Sequence, residues 1–194
     1  MSGLVGGPAP EFTAEALSEG EITTLSLEAY RGKWLYLLFY PLDFTFVCPT
    51  ELLAFSDKIK DFDSLNAEVL GVSIDSVYTH LAWTETPRTN GGIEGLQFPL
   101  LSDQKRELSQ AFGVDSPDGP AYRGLFLIDP DGIVQQMTVN NLPVGRNVEE
   151  ALRILQAYQH VAEYGDVCPA NWIPGETTMV ADPKASKDYF SQLS

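Results

Sequence analysis

The chain has 194 residues, 44% of them hydrophobic and 20% charged, the balance of an ordinary globular domain long enough to bury a core without disulfide staples. Twelve Lys plus Arg against 27 Asp plus Glu leave a formal charge of −15, whose field repels nucleic-acid phosphates and anionic lipid and sets both aside as partners. The amino terminus lacks the basic and apolar regions of a signal peptide, and no apolar run has the length of a bilayer span, so a cytosolic protein is expected. In that reducing setting two cysteines are inert, catalytic or redox-active more often than a permanent staple.

In chain order, "EFTAEAL" and "EITTLSL" flank "SEG" and predict a hairpin. The nearly continuous apolar run "KWLYLLFYP" predicts a central strand, buried on both faces and ended by Pro41. In "CPTELLAFSDKIKDF" the apolar residues Leu52, Phe55, Ile59 and Phe62 recur at three or four places, which predicts an amphipathic helix that begins close to Cys48. Pro49 suits a first helical position and Glu51 the first turn. A buried strand "AEVLGVSID", a helix "SVYTHLAWTETPR", a short strand "FPLLSD" and a helix "QKRELSQAFGV" follow. The strands "YRGLFLID" and "GIVQQMTVN" are joined by the turn "DPDG", and the long helix "NVEEALRILQAYQHVAEYG" closes on Gly165. The pattern is an α/β domain, residues 1–165, with a mixed sheet flanked by helices. Residues 166–194, with prolines at 169, 174 and 183, read as an extended C-terminal arm whose Trp172, Ile173, Tyr189 and Phe190 need a surface to dock on.

Chemistry points to Cys48. In open α/β sheets functional sites lie beyond the carboxyl ends of the strands, where the turn "PLDFTFVCPTEL" falls. A helix N-terminus and a nearby cation both favour the nucleophilic thiolate. Fast chemistry also needs donors aimed at the transition state, and Thr45 and the backbone N–H of Cys48 are placed to supply them, with Pro41 shielding the sulfur from water. The alternative is a small buried hydrophobe at a strand end, and spacing alone does not separate the two. His80 and His160 have no metal-ligand spacing and read as helix-surface or packing residues, so no metal is expected. A thioredoxin-type exchanger would carry C-x-x-C, which is absent, and no glycine-rich phosphate cradle suggests a cofactor.

Pro41, Thr45 and Cys48 fit P-x-x-x-T-x-x-C, and "FTFVCPTE" resembles the typical two-cysteine peroxiredoxins. The likeness extends to "VSIDSVYTHLAW", "PLLSD", "YRGLFLID", "NLPVGR", "VCPANWIPG" and the terminal "YF". It implies a thioredoxin-like fold and a thiol peroxidase for hydrogen peroxide and organic hydroperoxides, recycled by thioredoxin. By the same resemblance Cys48 is the peroxidatic cysteine, Thr45 and Arg123 bind the peroxide oxygens, Pro41 completes the pocket, and Glu51 with Arg146 hold the arginines in place. Read from the residues alone, each arginine is more simply a solvated surface side chain. Cys168 resembles the resolving cysteine, which in the family forms a disulfide with the sulfenic acid of the other subunit in a head-to-tail homodimer; the family likeness extends to a decamer of five dimers. A holdase chaperone or peroxide-relay role is the alternative. One departure concerns over-oxidation. Family members sensitive to excess peroxide carry "GGLG" and "YF"; this chain has Tyr189 and Phe190, but residues 91–95 read "GGIEG". If glycine serves there by adopting positive φ, Glu94 is disfavoured, and an intermediate sensitivity is expected.

Overall fold

The computed structural model describes residues 3–192 and divides into two compact units, 1–148 and 149–194. The first unit is built on a seven-stranded mixed sheet in the order β2-β1-β5-β4-β3-β6-β7. Strands β1 (Thr13–Ser18) and β2 (Glu21–Ser26) form the expected hairpin. Its two turn residues, Glu19 (φ 52) and Gly20 (φ 81), both lie in the left-handed region, the requirement of a tight turn that matches the twist of the strands.

Strand β3 (Trp34–Phe39) is buried at every position and pairs parallel with β4 (Ala67–Ser73) and antiparallel with β6 (Arg123–Ile128). Alternation sends Leu35, Leu37 and Phe39 to one face, in a cluster with Phe112 and Phe126. Tyr36 points to the other face, edge-on to Phe55 and Phe62 of the following helices. Each fully buried side chain of this size contributes about 1.5–3 kcal/mol, so this strand anchors the turn that follows it. Strand β5 (Leu100–Ser102) extends the parallel set, and β7 (Val134–Asn140) lies antiparallel to β6 at the sheet edge.

The helix predicted from Cys48 is present but divided. Helix α1 (Cys48–Asp57) and helix α2 (Ile59–Ser64) are separated by Lys58, whose ψ of 9° leaves the helical range. The apolar spacing continues across the break, so periodicity did not reveal it. Helix α3 (Val77–Thr84) is capped by Ser76, which accepts from the N–H of Thr79. Helix α4 (Glu107–Ala111) is shorter than "QKRELSQAFGV" suggests. Arg106 stands before it at φ 61, and the carboxylate of Asp103 accepts from the N–H groups of Leu108 and Ser109.

The second unit takes almost all of helix α5 (Val148–Tyr164), which ends as expected on Gly165 at φ 75. Beyond it, Val167 and Met179 exchange two backbone hydrogen bonds at 2.8 and 3.0 Å, closing the first part of the arm on itself. Trp172 is buried, with its ring 5.2 Å from that of His160, while Ile173 and Phe190 stay exposed. A short helix, α6 (Ser186–Phe190), carries Tyr189 and Phe190 and was not foreseen.

Candidate active site

Cys48 is the first residue of α1, fully buried, with Pro49 next to it in the first turn. Glu51 of the same helix and two arginines distant in sequence converge around it. Arg123, the first residue of β6, places Nη1 at 3.4 Å from Cys48 Sγ and donates from the same nitrogen to Glu51 Oε2 at 2.6 Å. Its Nε donates to the carbonyl of Leu142 at 2.7 Å, which fixes the plane of the guanidinium. Arg146 donates from Nε and from its backbone N–H to Glu51 Oε1 at 2.7 and 2.8 Å. Its Nη1 donates to the carbonyls of Phe39 and Gly124 at 2.7 and 2.6 Å. Gly145 permits that loop to close on α1, since a Cβ there would lie 3.2 Å from Val47 Cγ1 and 3.4 Å from Glu51 Cγ.

The charges within the cradle do not cancel. Glu51 and the two arginines have side chains no more than 4% exposed, and one carboxylate between two guanidiniums leaves one positive charge uncompensated. Burial lowers the pKa of Arg146 from its ordinary value, opposed by Glu51 and by the sulfur of Cys48. An anion placed in this cradle would therefore meet an oriented donor in a dry setting, where such an interaction is strongest. Neither arginine is the solvated surface residue that the sequence also allowed.

Pro41 is buried immediately beyond β3, and Thr45 is half-buried in the same turn as Cys48. The hydroxyl of Thr45 donates to the carbonyl of Leu42 at 2.8 Å, so in this conformation it presents lone pairs, and it must rotate to act as a donor. Between them Phe44 takes φ 54, an unfavourable value for a bulky side chain, and its ring lies 5.9 Å from that of Trp83.

The support beneath this turn was missed in reading the sequence. His80 is fully buried, not on a helix surface, and its Nδ1 lies 2.7 Å from Asp43 Oδ2. Tyr40 donates its hydroxyl to Asp43 Oδ1 at 2.8 Å. Asp75 Oδ2 accepts from the backbone N–H of Asp43 at 2.9 Å and from Ser73 Oγ at 2.7 Å. Burial raises the pKa of Asp43 above the ordinary carboxylate value, against the hydrogen bond from His80. A signal was available: Asp43 interrupts an otherwise apolar stretch that leaves a buried strand, where a carboxylate needs a partner.

Cys168 is free and half-buried, in the second unit. Burial raises its thiol pKa, an effect opposed by Arg153 and reinforced by Asp166. The sign is therefore toward the protonated thiol at neutral pH. In a Cys48→Ser variant, alkylation of Cys168 by iodoacetamide is expected to rise with pH through a midpoint higher than that of the same thiol in denaturant, which lies near 8.5. A midpoint equal to or below the denatured value contradicts this.

A thiol at the head of a helix, at the end of a central strand and against a held arginine, defines a cysteine-centred α/β enzyme. The comparisons sharpen this. The model of the AhpC/TSA family matches residues 5–137, and that of the C-terminal domain of 1-Cys peroxiredoxin matches residues 157–192. Peroxiredoxin-2 of Rattus norvegicus is 55% identical over 97% of this chain and 96% of its own length. The chloroplastic 2-Cys peroxiredoxin BAS1 of Hordeum vulgare is 53% identical over 98% of this chain and 91% of its own length. The crystal structure of the reduced 2-Cys peroxiredoxin of Plasmodium vivax superposes with a TM-score of 0.95, at 46% identity, covering 97% of this chain and 98% of that one. The chain belongs to the AhpC/TSA family of peroxiredoxins and has their thioredoxin-like α/β fold. It is accordingly a thiol peroxidase, an oxidoreductase acting on peroxides.

Proposed function

We propose that Cys48 is the peroxidatic nucleophile and Cys168 the resolving thiol of a thioredoxin-recycled peroxidase for hydrogen peroxide and small organic hydroperoxides. The observation that carries this is Arg123 Nη1 at 3.4 Å from Cys48 Sγ, held there by Glu51. The thiolate sulfur bonds to the terminal peroxide oxygen, the O–O bond breaks, and the leaving oxygen departs with a proton as water or alcohol. Arg123 stabilises the charge on the oxygens, with Thr45 as a rotatable partner, and Arg146 acts through Glu51 by holding Arg123 in place. Cys48 becomes a sulfenic acid, and Cys168 of a second copy then displaces its hydroxyl to form a disulfide. The chain's own cysteines and arginines suffice for these steps, with no cofactor. The cytosol, whose reducing poise suits two cysteines that must cycle, is the proposed compartment.

Self-association has support from two separate surfaces. Strand β7 is an edge of the sheet with Met137 and Val139 exposed, a template for pairing with a second copy. Phe46, 92% exposed, and Tyr78, 72% exposed, are apolar groups in other segments of the first unit. A ring of dimers needs two distinct interfaces on each subunit, and the proposed assembly is a homodimer that forms a decamer. The holdase alternative has no feature of its own, since the exposed apolar residues that would serve it are those an assembly covers.

Resolution requires α1 to open at Cys48, and its far end is tied down. Arg88 pairs with Asp57 at 3.0 Å and donates from Nε to the carbonyl of Glu94 at 3.0 Å. Gln97 donates from its backbone to Ser56 Oγ and from its side chain to the carbonyl of Ser56, both at 3.0 Å. Glu94 does not take the left-handed conformation; Gly91 (φ 77) and Gly95 (φ 79) do. The backbone reason for doubting the "GGIEG" loop therefore falls away, and the loop retains its hold on the helix. Arg88→Ala is expected to weaken that hold by up to about 1 kcal/mol, the worth of an exposed ion pair, and to lower the sulfinic acid formed at Cys48 in millimolar peroxide. Mass spectra with equal or greater sulfinic acid in the variant would count against this.

The test of the function is NADPH oxidation by thioredoxin reductase, thioredoxin and the protein on addition of hydrogen peroxide. Turnover that requires thioredoxin, Cys48 and Cys168 is expected. Turnover with a chemical dithiol but not with thioredoxin would refute the reductant, and none with either would refute the two-cysteine cycle.

A further inference from the structure

In the second unit Arg153 carries more bonds than a surface arginine needs. It stands on α5 one turn before Ala157, whose carbonyl lies 3.7 Å from Cys168 Sγ. Its Nε and Nη2 donate to the two carboxylate oxygens of Glu150 at 2.6 and 2.8 Å, a planar fork. Its Nη1 donates to the backbone carbonyl of Trp172 at 2.7 Å. The backbone N–H of Trp172 donates to the carbonyl of Pro169 at 3.2 Å, so the bond from Arg153 pins the far side of the turn that follows Cys168. The near side is held by the paired bonds of Val167 with Met179, and by Thr178 donating to Asp166 at 3.0 Å. Arg153 and Cys168 also line one cleft of about 350 Å³, together with Ala157, Tyr158 and Val161. An exposed Arg–Glu pair on one helix contributes little by itself, which leaves the bond to the arm and the place beside the thiol unexplained.

We infer that Arg153 is a positioning residue for disulfide formation, fixing the turn that carries Cys168 and setting a positive charge beside its sulfur as that sulfur attacks. The inference rests on Cys168 being the resolving thiol. In the step, the Cys168 thiolate sulfur bonds to the sulfur of the Cys48 sulfenic acid and the S–O bond breaks. The thiolate is oxidised and the sulfenic sulfur reduced, while hydroxide leaves and takes up the proton released by Cys168. Burial opposes the thiolate and Arg153 favours it, whereas Asp166 acts with burial. Arg153 holds the carboxyl of Glu150 below its ordinary range, and Glu150 raises Arg153, so the pair stays charged wherever the thiol titrates.

The experiment uses the full chain, reduced, as wild type, R153Q, R153K, E150Q and C168S. Each is mixed with one equivalent of hydrogen peroxide, quenched at intervals, thiol-blocked and read by intact mass, with first-turnover peroxide loss followed in parallel. R153Q is expected to form disulfide about three- to tenfold more slowly near neutral pH, up to one pKa unit of lost thiolate support, while its first-turnover peroxide loss is unchanged. Its disulfide rate should keep rising into more alkaline pH than that of wild type. R153K should restore the pH profile but only part of the rate, because it keeps the charge and loses the fork. E150Q should slow the step without moving the alkylation midpoint of Cys168. An R153Q protein with the wild-type disulfide rate and pH profile overturns the inference. So does a loss equal at every pH that R153K does not recover, which marks damage to the fold. A covalent dimer formed by C168S would refute the resolving role itself, and that result is read without reference to Arg153.

Discussion

Cys48→Ser is expected to lower the second-order rate of peroxide consumption by roughly three orders of magnitude or more, with the fold intact. Serine matches the thiol closely in size and fits the fully buried first position of α1. It retains a group that can accept from Arg123 Nη1, so the cradle of Glu51, Arg123 and Arg146 stays closed. What it lacks is a sulfur nucleophile that can accept an oxygen. Peroxide decay in a stopped-flow instrument with a peroxide electrode, together with a circular dichroism melt, reads both halves. Residual activity within tenfold of wild type would assign the chemistry to another group.

Glu51→Gln is expected to damage stability and rate together. The carboxylate accepts from Arg123 at 2.6 Å and from Arg146 at 2.7 Å with its side chain 2% exposed. Removing one partner of a buried ion pair costs about 3–5 kcal/mol, because the remaining charges stay desolvated. Two rate effects oppose each other. A second uncompensated positive charge favours an anion at Cys48, but thiolate fraction saturates and a more stable thiolate is a weaker nucleophile. Loss of a fixed donor at the oxyanion position costs roughly 10²–10³ in rate, so the loss is expected to win. A lowered melting temperature with peroxide consumption reduced about a hundredfold is the expected pair of results. A variant with wild-type stability and rate would show that Glu51 does not hold the arginines in their working positions.

The residues legible in the sequence were those whose role is written locally. The buried run of β3, the hairpin around "SEG", the end of α5 at Gly165 and a helix start close to Cys48 each follow from neighbouring side chains. Arg123 and Arg146 were reached by resemblance, because the acceptor that unites them lies 72 and 95 residues away and no local pattern encodes that pairing. The His80 and Asp43 pair, 37 residues apart, escaped for the same reason. The break at Lys58 was hidden because apolar spacing is continuous across it, and α6 because five residues are too few for a periodic face. Helix α4 came out shorter than its apolar pattern suggests because the left-handed Arg106 interrupts it and the nearby carboxylate of Asp103 accepts from its first turn.

The central claim is that a sulfenic acid at Cys48 is captured by Cys168 of another copy, and one measurement reaches it directly. Reduced protein is mixed for a few seconds with one equivalent of hydrogen peroxide, denatured, thiol-blocked, and analysed by intact mass without reductant and then by peptide mapping. A covalent dimer joined between Cys48 and Cys168 is the expected product. Monomers with both cysteines fully blocked would contradict fast attack by Cys48, and an internal Cys48–Cys168 bond within one chain would contradict capture by a second subunit.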